Sequence, residues 1–243
     1  MIEELRQRLQ RLEKPPGLID GPAVLPLGAP TVDAILGGGL MHGALHEIGA
    51  AGEAHATAAT GFAAGVAVLA SQCTIWIAED MVALESGAPY GPSLDGIGLA
   101  PERLVAVAVA QRRDLLWAME EALRCRAVGC VIGEMRRGTL DAVAMRRLSL
   151  AAADTGALAL ILRAAPENDA STATTRWVVG AAASTHAHAR FAVALVRNRR
   201  GPRGQWILEW SDSDGRFTCA AHAQPVALPP RHRPHQKIAR SVA

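Results

Sequence analysis

The chain has 243 residues, half of them hydrophobic and a fifth charged, with a net charge of +2. That length carries one sizeable domain with a full core, and that composition excludes a disordered chain. No apolar run reaches the ~20 residues a membrane-spanning helix needs, so no membrane association is expected, and the near-neutral balance gives no global nucleic-acid signature.

The first stretch, MIEELRQRLQRLE, lacks a signal-peptide core, which points to the cytoplasm. It sets Ile2, Leu5, Leu9 and Leu12 at helical spacing between charges, and Pro15-Pro16 ends the helix. Residues 1–14 thus form an amphipathic segment whose apolar stripe docks either on its own domain or on a neighbouring subunit. PTVDAILGGGLMHGALHEIG reads as a short helix capped by Thr31, a glycine turn, and a strand near 44–49. An alanine-rich helix follows over 53–71.

Strands and helices then alternate: TIWIAE (74–79), LVAVAVA (104–110), a helix RDLLWAMEEALR (113–124), GCVIGE (129–134), a helix TLDAVAMRRLSLAAAD (139–154) and ALALILR (157–163). Near-continuous apolar strands separated by helices argue an α/β fold, a mostly parallel sheet covered by helices on both faces. RWVVGAA, FAVALVRN and QWILEW follow with no helix between them, and the last two flank the turn sequence RRGPRG, which predicts a C-terminal antiparallel hairpin. The core therefore runs over 15–217, and the Pro-, His- and Arg-rich segment 218–243 is expected to be a flexible basic tail with no acidic residue. Cys73, Cys125, Cys130 and Cys219 show no C-x-x-C spacing and are expected to be reduced and mostly buried, with no metal site.

The segment EIGAAGEAHATA, between a strand and a helix, has the placement of a G-x-x-x-x-G-K-[ST] phosphate loop without its working residues. With Gly49 as the first glycine, Ala54, His55 and Ala56 fall where Gly, Lys and Ser/Thr should be. Alanine resists the close approach glycine permits, histidine is shorter than lysine, and Ala56 offers no oxygen to Mg²⁺. The only lysines are Lys14 and Lys237, so none can substitute. No nucleotide cofactor, no metal and no enzymatic activity are expected.

The order of segments resembles the RecA core. GGGLMHGALHEIG resembles the turn and strand that lead into Walker A, TIWIAED the strand with the water-activating glutamate, and AVGCVIGE the Walker B strand; Glu79 matches that glutamate, and Glu134 falls at or next to the Walker B acidic position. LVRNRRGPRGQWILEW resembles the hairpin that reaches a neighbouring subunit's nucleotide, with Arg197 and Arg199 at its two lysines. The departures are the lost Walker A, Arg163 or Ala164 where the family has a phosphate-sensing Gln, and short MRRG and APENDASTATT segments where its DNA-binding loops stand.

LHEI with AT-GFA, Tyr90-Gly91-Pro92, ALRC, RRLSLAA, AST-x-T-RW and LVRNRRGPRGQW-x-LEW, in this order, resemble the ImuA family over residues 25–212. The resemblance implies a RecA-like accessory protein of the DNA-damage (SOS) response. Its implied partners are an ImuB-like Y-family homologue, an error-prone C-family polymerase and RecA, in translesion synthesis and induced mutagenesis. RecA docks subunits through an N-terminal helix, which implies partner docking for Ile2, Leu5, Leu9 and Leu12.

Without Walker A, Glu79 and Glu134 read as inherited carboxylates with no metal to serve; the alternative is a water-activating and metal-linked pair. Arg197, Arg199, Arg200 and Arg203 form either a solvated face or contacts to phosphate or an acidic partner. His186, His188 and Arg190 are expected in an exposed loop, and Trp177, Trp206 and Trp210 in the core. The leading expectation is a non-enzymatic adaptor. The alternatives are a divergent ATPase or DNA-binding RecA paralogue, which would use Glu79 and hairpin cations, and an inhibitor that caps RecA or cell-division polymers.

Overall fold

The structure is a computed structural model that describes residues 23–80, 90–135, 140–163, 171–184 and 188–220. The amphipathic stretch with Ile2, Leu5, Leu9 and Leu12, the residues 136–139 and 164–170 of the two short loops, His186 and the tail from 221 lie outside the described residues.

The described elements, in chain order, begin with β1 (Val24–Leu25), α1 (Pro30–Leu36), β2 (Leu40–Met41), β3 (Leu45–Ala50), α2 (Ala56–Leu69) and β4 (Cys73–Glu79). Next come α3 (Gly91–Gly96), β5 (Leu104–Val109), α4 (Arg112–Leu123), β6 (Val128–Met135), α5 (Ala142–Thr155) and β7 (Leu158–Arg163). The chain closes with β8 (Thr175–Ala181), β9 (Arg190–Asn198), β10 (Gly204–Ser211) and β11 (Arg216–Cys219). Nine strands form one sheet in the order β11-β10-β9-β8-β3-β7-β6-β4-β5. From β8 to β5 every pairing is parallel, and from β8 to β11 every pairing is antiparallel. This is the α/β architecture with an antiparallel C-terminal extension that the strand pattern predicts.

Strand alternation splits the core in two. Ile48, Trp76, Ile132, Leu160 and Trp177 face α2, while Leu45, Ile77, Val131 and Ile161 face α4 and α5. α2 binds the two halves of the sheet: Phe62 packs on Trp177, Phe191 and Phe217, and Trp210 meets Phe217 edge-on at 4.8 Å. Gly65 permits this approach, because a Cβ there would stand 2.6 Å from Phe217 and 3.1 Å from Trp210. Trp177 and Trp210 are buried and Trp206 is half-buried against Trp177, the core placement expected of them.

Several local expectations are corrected. Thr31 is not the cap of α1: Ala29 holds that position, Pro30 preorganises the first turn, and the Asp33 carboxylate takes the Leu27 and Gly28 N–H groups. The triple glycine after α1 adopts φ of 73°, 110° and 148° at Gly37, Gly38 and Gly39, and a Cβ on Gly39 would lie 2.2 Å from the Leu25 carbonyl. β11 continues to Cys219, past the expected start of the tail, because Phe217 is drawn into the aromatic core. Of the cysteines only Cys130 is buried, its thiol pushed up to about 12 by burial; Cys73 is half-buried, and Cys125 and Cys219 are exposed near element ends. Arg190 is not in a loop but opens β9, ion-paired with Glu209 at 2.6 Å; His188 is exposed.

Candidate functional site

Two opposite edges of the sheet carry the residues singled out by sequence. The carboxyl edge holds the loop after β3. Gly49 is buried within β3, paired with Arg163 on β7 and Val178 on β8. Glu53, Ala54 and His55 make a single 3-10 turn, and Ala56 opens α2. A phosphate cradle needs backbone N–H groups aimed outward, commonly with a left-handed residue in the turn. Here Ala51 N–H donates to the Val179 carbonyl, His55 N–H to Gly52, and Ala56 N–H to Glu53. No residue from Gly49 to Ala56 adopts a left-handed φ. The His55 ring is engaged as well: its Nδ1 accepts the Ala181 N–H at 3.1 Å.

Glu79 ends β4 and Glu134 stands one residue before the end of the neighbouring parallel strand β6, yet their side chains go to opposite faces. Glu134 is the register partner of Ala78, one residue before Glu79, and alternation separates the two carboxylates. Glu79 is on the α4 face, ion-paired with Arg112 at 3.0 Å. Glu134 is on the α2 face, where its carboxylate accepts the Trp76 indole N–H at 2.9 Å. Arg163, beside Gly49 and Met135 at this edge, is 5% exposed and buried in the protein rather than held out to solvent.

The amino edge holds the arginine hairpin. Asn198 pairs with Thr175 at the start of β8, whereas His55 is bonded to Ala181 at its end. Those two ends are roughly 20 Å apart at about 3.3 Å per residue. The hairpin is pinned to α1: Asn198 Nδ2 donates to the Ile35 carbonyl at 3.2 Å and to Pro202 at 3.0 Å, and its Oδ1 accepts the Arg200 N–H. Arg199, Arg200 and Arg203 are exposed and Arg197 is half-buried. Burial, together with the Arg199 and Arg176 guanidiniums, lowers the pKa of Arg197.

Sequence reasoning missed what lies beneath. Glu47, 2% exposed on central strand β3, accepts from Arg176 Nε and from the Ser171 hydroxyl, each at 2.5 Å. The Ser171 carbonyl in turn accepts from Arg199 Nη2 at 3.2 Å. On the opposite face His46 is fully buried: its Nε2–H donates to the Met41 carbonyl, and its Nδ1 accepts the Thr175 hydroxyl at 2.7 Å. Thr175 accepts the Trp177 indole, so the chain of donors fixes the tautomer, and burial pushes the His46 pKa down to about 4. The available signal was two charge-capable residues inside LHEIGA, since a charge on a buried central strand requires a partner.

No family model matches the chain, and no curated protein matches it. Among solved structures, the crystal structure of the RadB recombinase is similar at a TM-score of 0.60 and 12% identity, covering 81% of this chain and 100% of that chain. The fold is RecA-like. In this fold β3 leads into the loop that carries Ala54, His55 and Ala56, β6 carries Glu134, and the β9–β10 hairpin stands at the opposite edge.

Proposed function

We propose that this chain is a non-enzymatic, RecA-like adaptor of DNA-damage-induced mutagenesis and translesion synthesis. Its proposed partners are an ImuB-like Y-family homologue, an error-prone C-family polymerase and RecA. The observation that carries the non-enzymatic part is the closed loop after β3. Ala54, His55 and Ala56 replace its working residues, its N–H donors at 51, 55 and 56 are spent on protein carbonyls, and the His55 ring is bonded to Ala181. Binding a triphosphate there would require breaking bonds that the fold makes to itself, with no ammonium to neutralise the charge. The separation of Glu79 from Glu134 and the distance of the hairpin from the loop also count against a site assembled from all three within one chain. The assignment to mutagenesis rests on the co-linear resemblance to the ImuA family.

Capture of the ImuB-like protein and of RecA by the full chain, with and without single-stranded DNA, tests the adaptor reading. Binding of at least one partner that weakens on deletion of residues 1–14 supports it. Capture of neither partner overturns it. Tight Mg²⁺–ATP binding that is abolished by Glu79→Gln or Arg197→Gln would instead make the protein a divergent ATPase.

A further inference from the structure

Glu47, Arg176 and Arg197 form a lateral row across β3, β8 and β9: Glu47 is the register partner of Arg176, and Arg176 of Arg197. Like charges directly opposite each other across a ladder are destabilising. This pair stands where the β8–β9 register shifts, between Arg176 and Trp177. Glu47 is ion-paired with Arg176 and its charge also favours the Arg197 guanidinium from beyond ion-pair distance, yet one carboxylate faces two guanidiniums: among the described residues no carboxylate is ion-paired with Arg197, Arg199, Arg200 or Arg203. Arg199 is tied into the same cluster, its guanidinium on the Ser171 carbonyl and its N–H on the Thr174 carbonyl at 3.0 Å. The hairpin thus holds an excess of positive charge in a fixed frame, on a turn anchored by Asn198.

We propose that Arg197 and Arg199, seated beside the Glu47–Arg176–Ser171 cluster, form a socket for carboxylate side chains of an acidic segment on a protein partner. A carboxylate matches the guanidinium fork and would relieve the crowding of Arg176, Arg197 and Arg199. Arg200 and Arg203, exposed on the same turn, supply steering charge. A protein segment is favoured over a nucleic-acid strand on two grounds. Single strands are held by exposed aromatic platforms along a basic track, whereas Trp177 is buried beside this hairpin and Trp206 packs against it at 6.4 Å. The cations of this cluster also occupy one hairpin and the strand beside it rather than a long track, in a chain whose net charge is only +2.

This inference deepens the adaptor reading by naming one contact site on it. Its test uses the full chain and two labelled probes, a hexaglutamate peptide and oligothymidylate, followed by fluorescence anisotropy at low salt and at about 0.15 M salt. The wild type is expected to bind the peptide saturably and more tightly than the oligonucleotide. R197Q/R199Q weakens peptide binding ~10-fold or more, and R197K/R199K, which keeps the charge and loses the fork, falls between. R113Q/R146Q, on α4 and α5, changes it by less than about two-fold. Thermal melts establish that each variant is folded, and R197K/R199K carries the test if the glutamine pair is not. No saturable peptide binding, equal losses in R197Q/R199Q and R113Q/R146Q, or no loss in R197Q/R199Q overturns the socket. Tighter oligonucleotide binding that depends on Arg197 and Arg199 overturns it in favour of a nucleic-acid site. A chain that captures no mutasome partner yet binds the peptide through these arginines loses the adaptor reading and keeps this one.

Discussion

The Nδ1 of His55 accepts the backbone N–H of Ala181, so the loop between β3 and α2 is tied through this ring to the end of β8. That bond lies at the surface, where water can replace it. His55→Ala should therefore cost under about 1 kcal/mol in urea unfolding. Titration with Mg²⁺–ATP should give no saturable binding for either protein. A nucleotide affinity present in the wild type and lost in H55A would show that the ring serves a ligand and not the strand.

His46 makes stability depend on acid. Its folded value of about 4 lies below the ordinary histidine value of 6.5, so between those limits the unfolded chain binds the proton more readily. The His46 contribution is fully present above pH 6.5 and is lost as the pH falls toward 4, a span worth roughly 3 kcal/mol. His42, also lowered by burial, acts in the same direction. Urea midpoints from pH 7 to pH 4.5 should fall steeply for the wild type. H46Q should be less stable at pH 7 and have a flatter profile; parallel profiles would refute the assignment.

Gly65 sets helix propensity against packing. Alanine in a helix interior is favoured over glycine by about 1 kcal/mol. A Cβ at this site, however, would stand 2.6 Å from Phe217 and 3.1 Å from Trp210, both locked in the aromatic core. Overpacking of that kind costs about 1–3 kcal/mol, so Gly65→Ala should be net destabilising, with a lower Tm. A raised Tm would mean that the two rings give way more easily than their packing implies.

Arg176 and Arg197 should respond in opposite ways to the same change. Arg176→Met leaves the Glu47 carboxylate buried without its ion pair and should cost about 3–5 kcal/mol. Arg197→Met removes a like charge opposite Arg176 and should be neutral within about 0.5 kcal/mol or slightly stabilising. Chemical denaturation of the two variants side by side checks the contrast. Equal losses would mean that Arg197 shares the Glu47 carboxylate.

The architecture was legible where the physical signal is periodic. Short apolar runs such as ALALILR and FAVALVRN, bounded by turn residues, have the length of buried strands, and the order of helices between them yields a parallel sheet with an antiparallel end. At the loop after β3 the sequence shows which residue types stand there, Ala54, His55 and Ala56, but not that Val179 and Ala181 of β8, distant along the chain, bond to it. What stayed hidden depends on faces and long-range register. Nothing local to Glu79 and Glu134 says that a one-residue offset sends them to opposite sides of the sheet. Likewise, Glu47 and Arg176 are 129 residues apart along the chain and meet only because β8 returns beside β3. Thr31 is not the cap because the helix already begins at Pro30, after Ala29, and Asp33 reaches back to hold the Leu27 and Gly28 N–H groups of the segment that leads in.

β8 joins two poles of the molecule, one at Ala181 and His55, the other at Thr175 and the arginine turn. Mutations at one pole act roughly 20 Å from the other, beyond the range at which packing changes usually couple. The two poles are therefore free to drift under separate selection. A chain of this design can change the loop at one pole while every contact that shapes the other pole stays in place, and it can be re-engineered one pole at a time for the same reason.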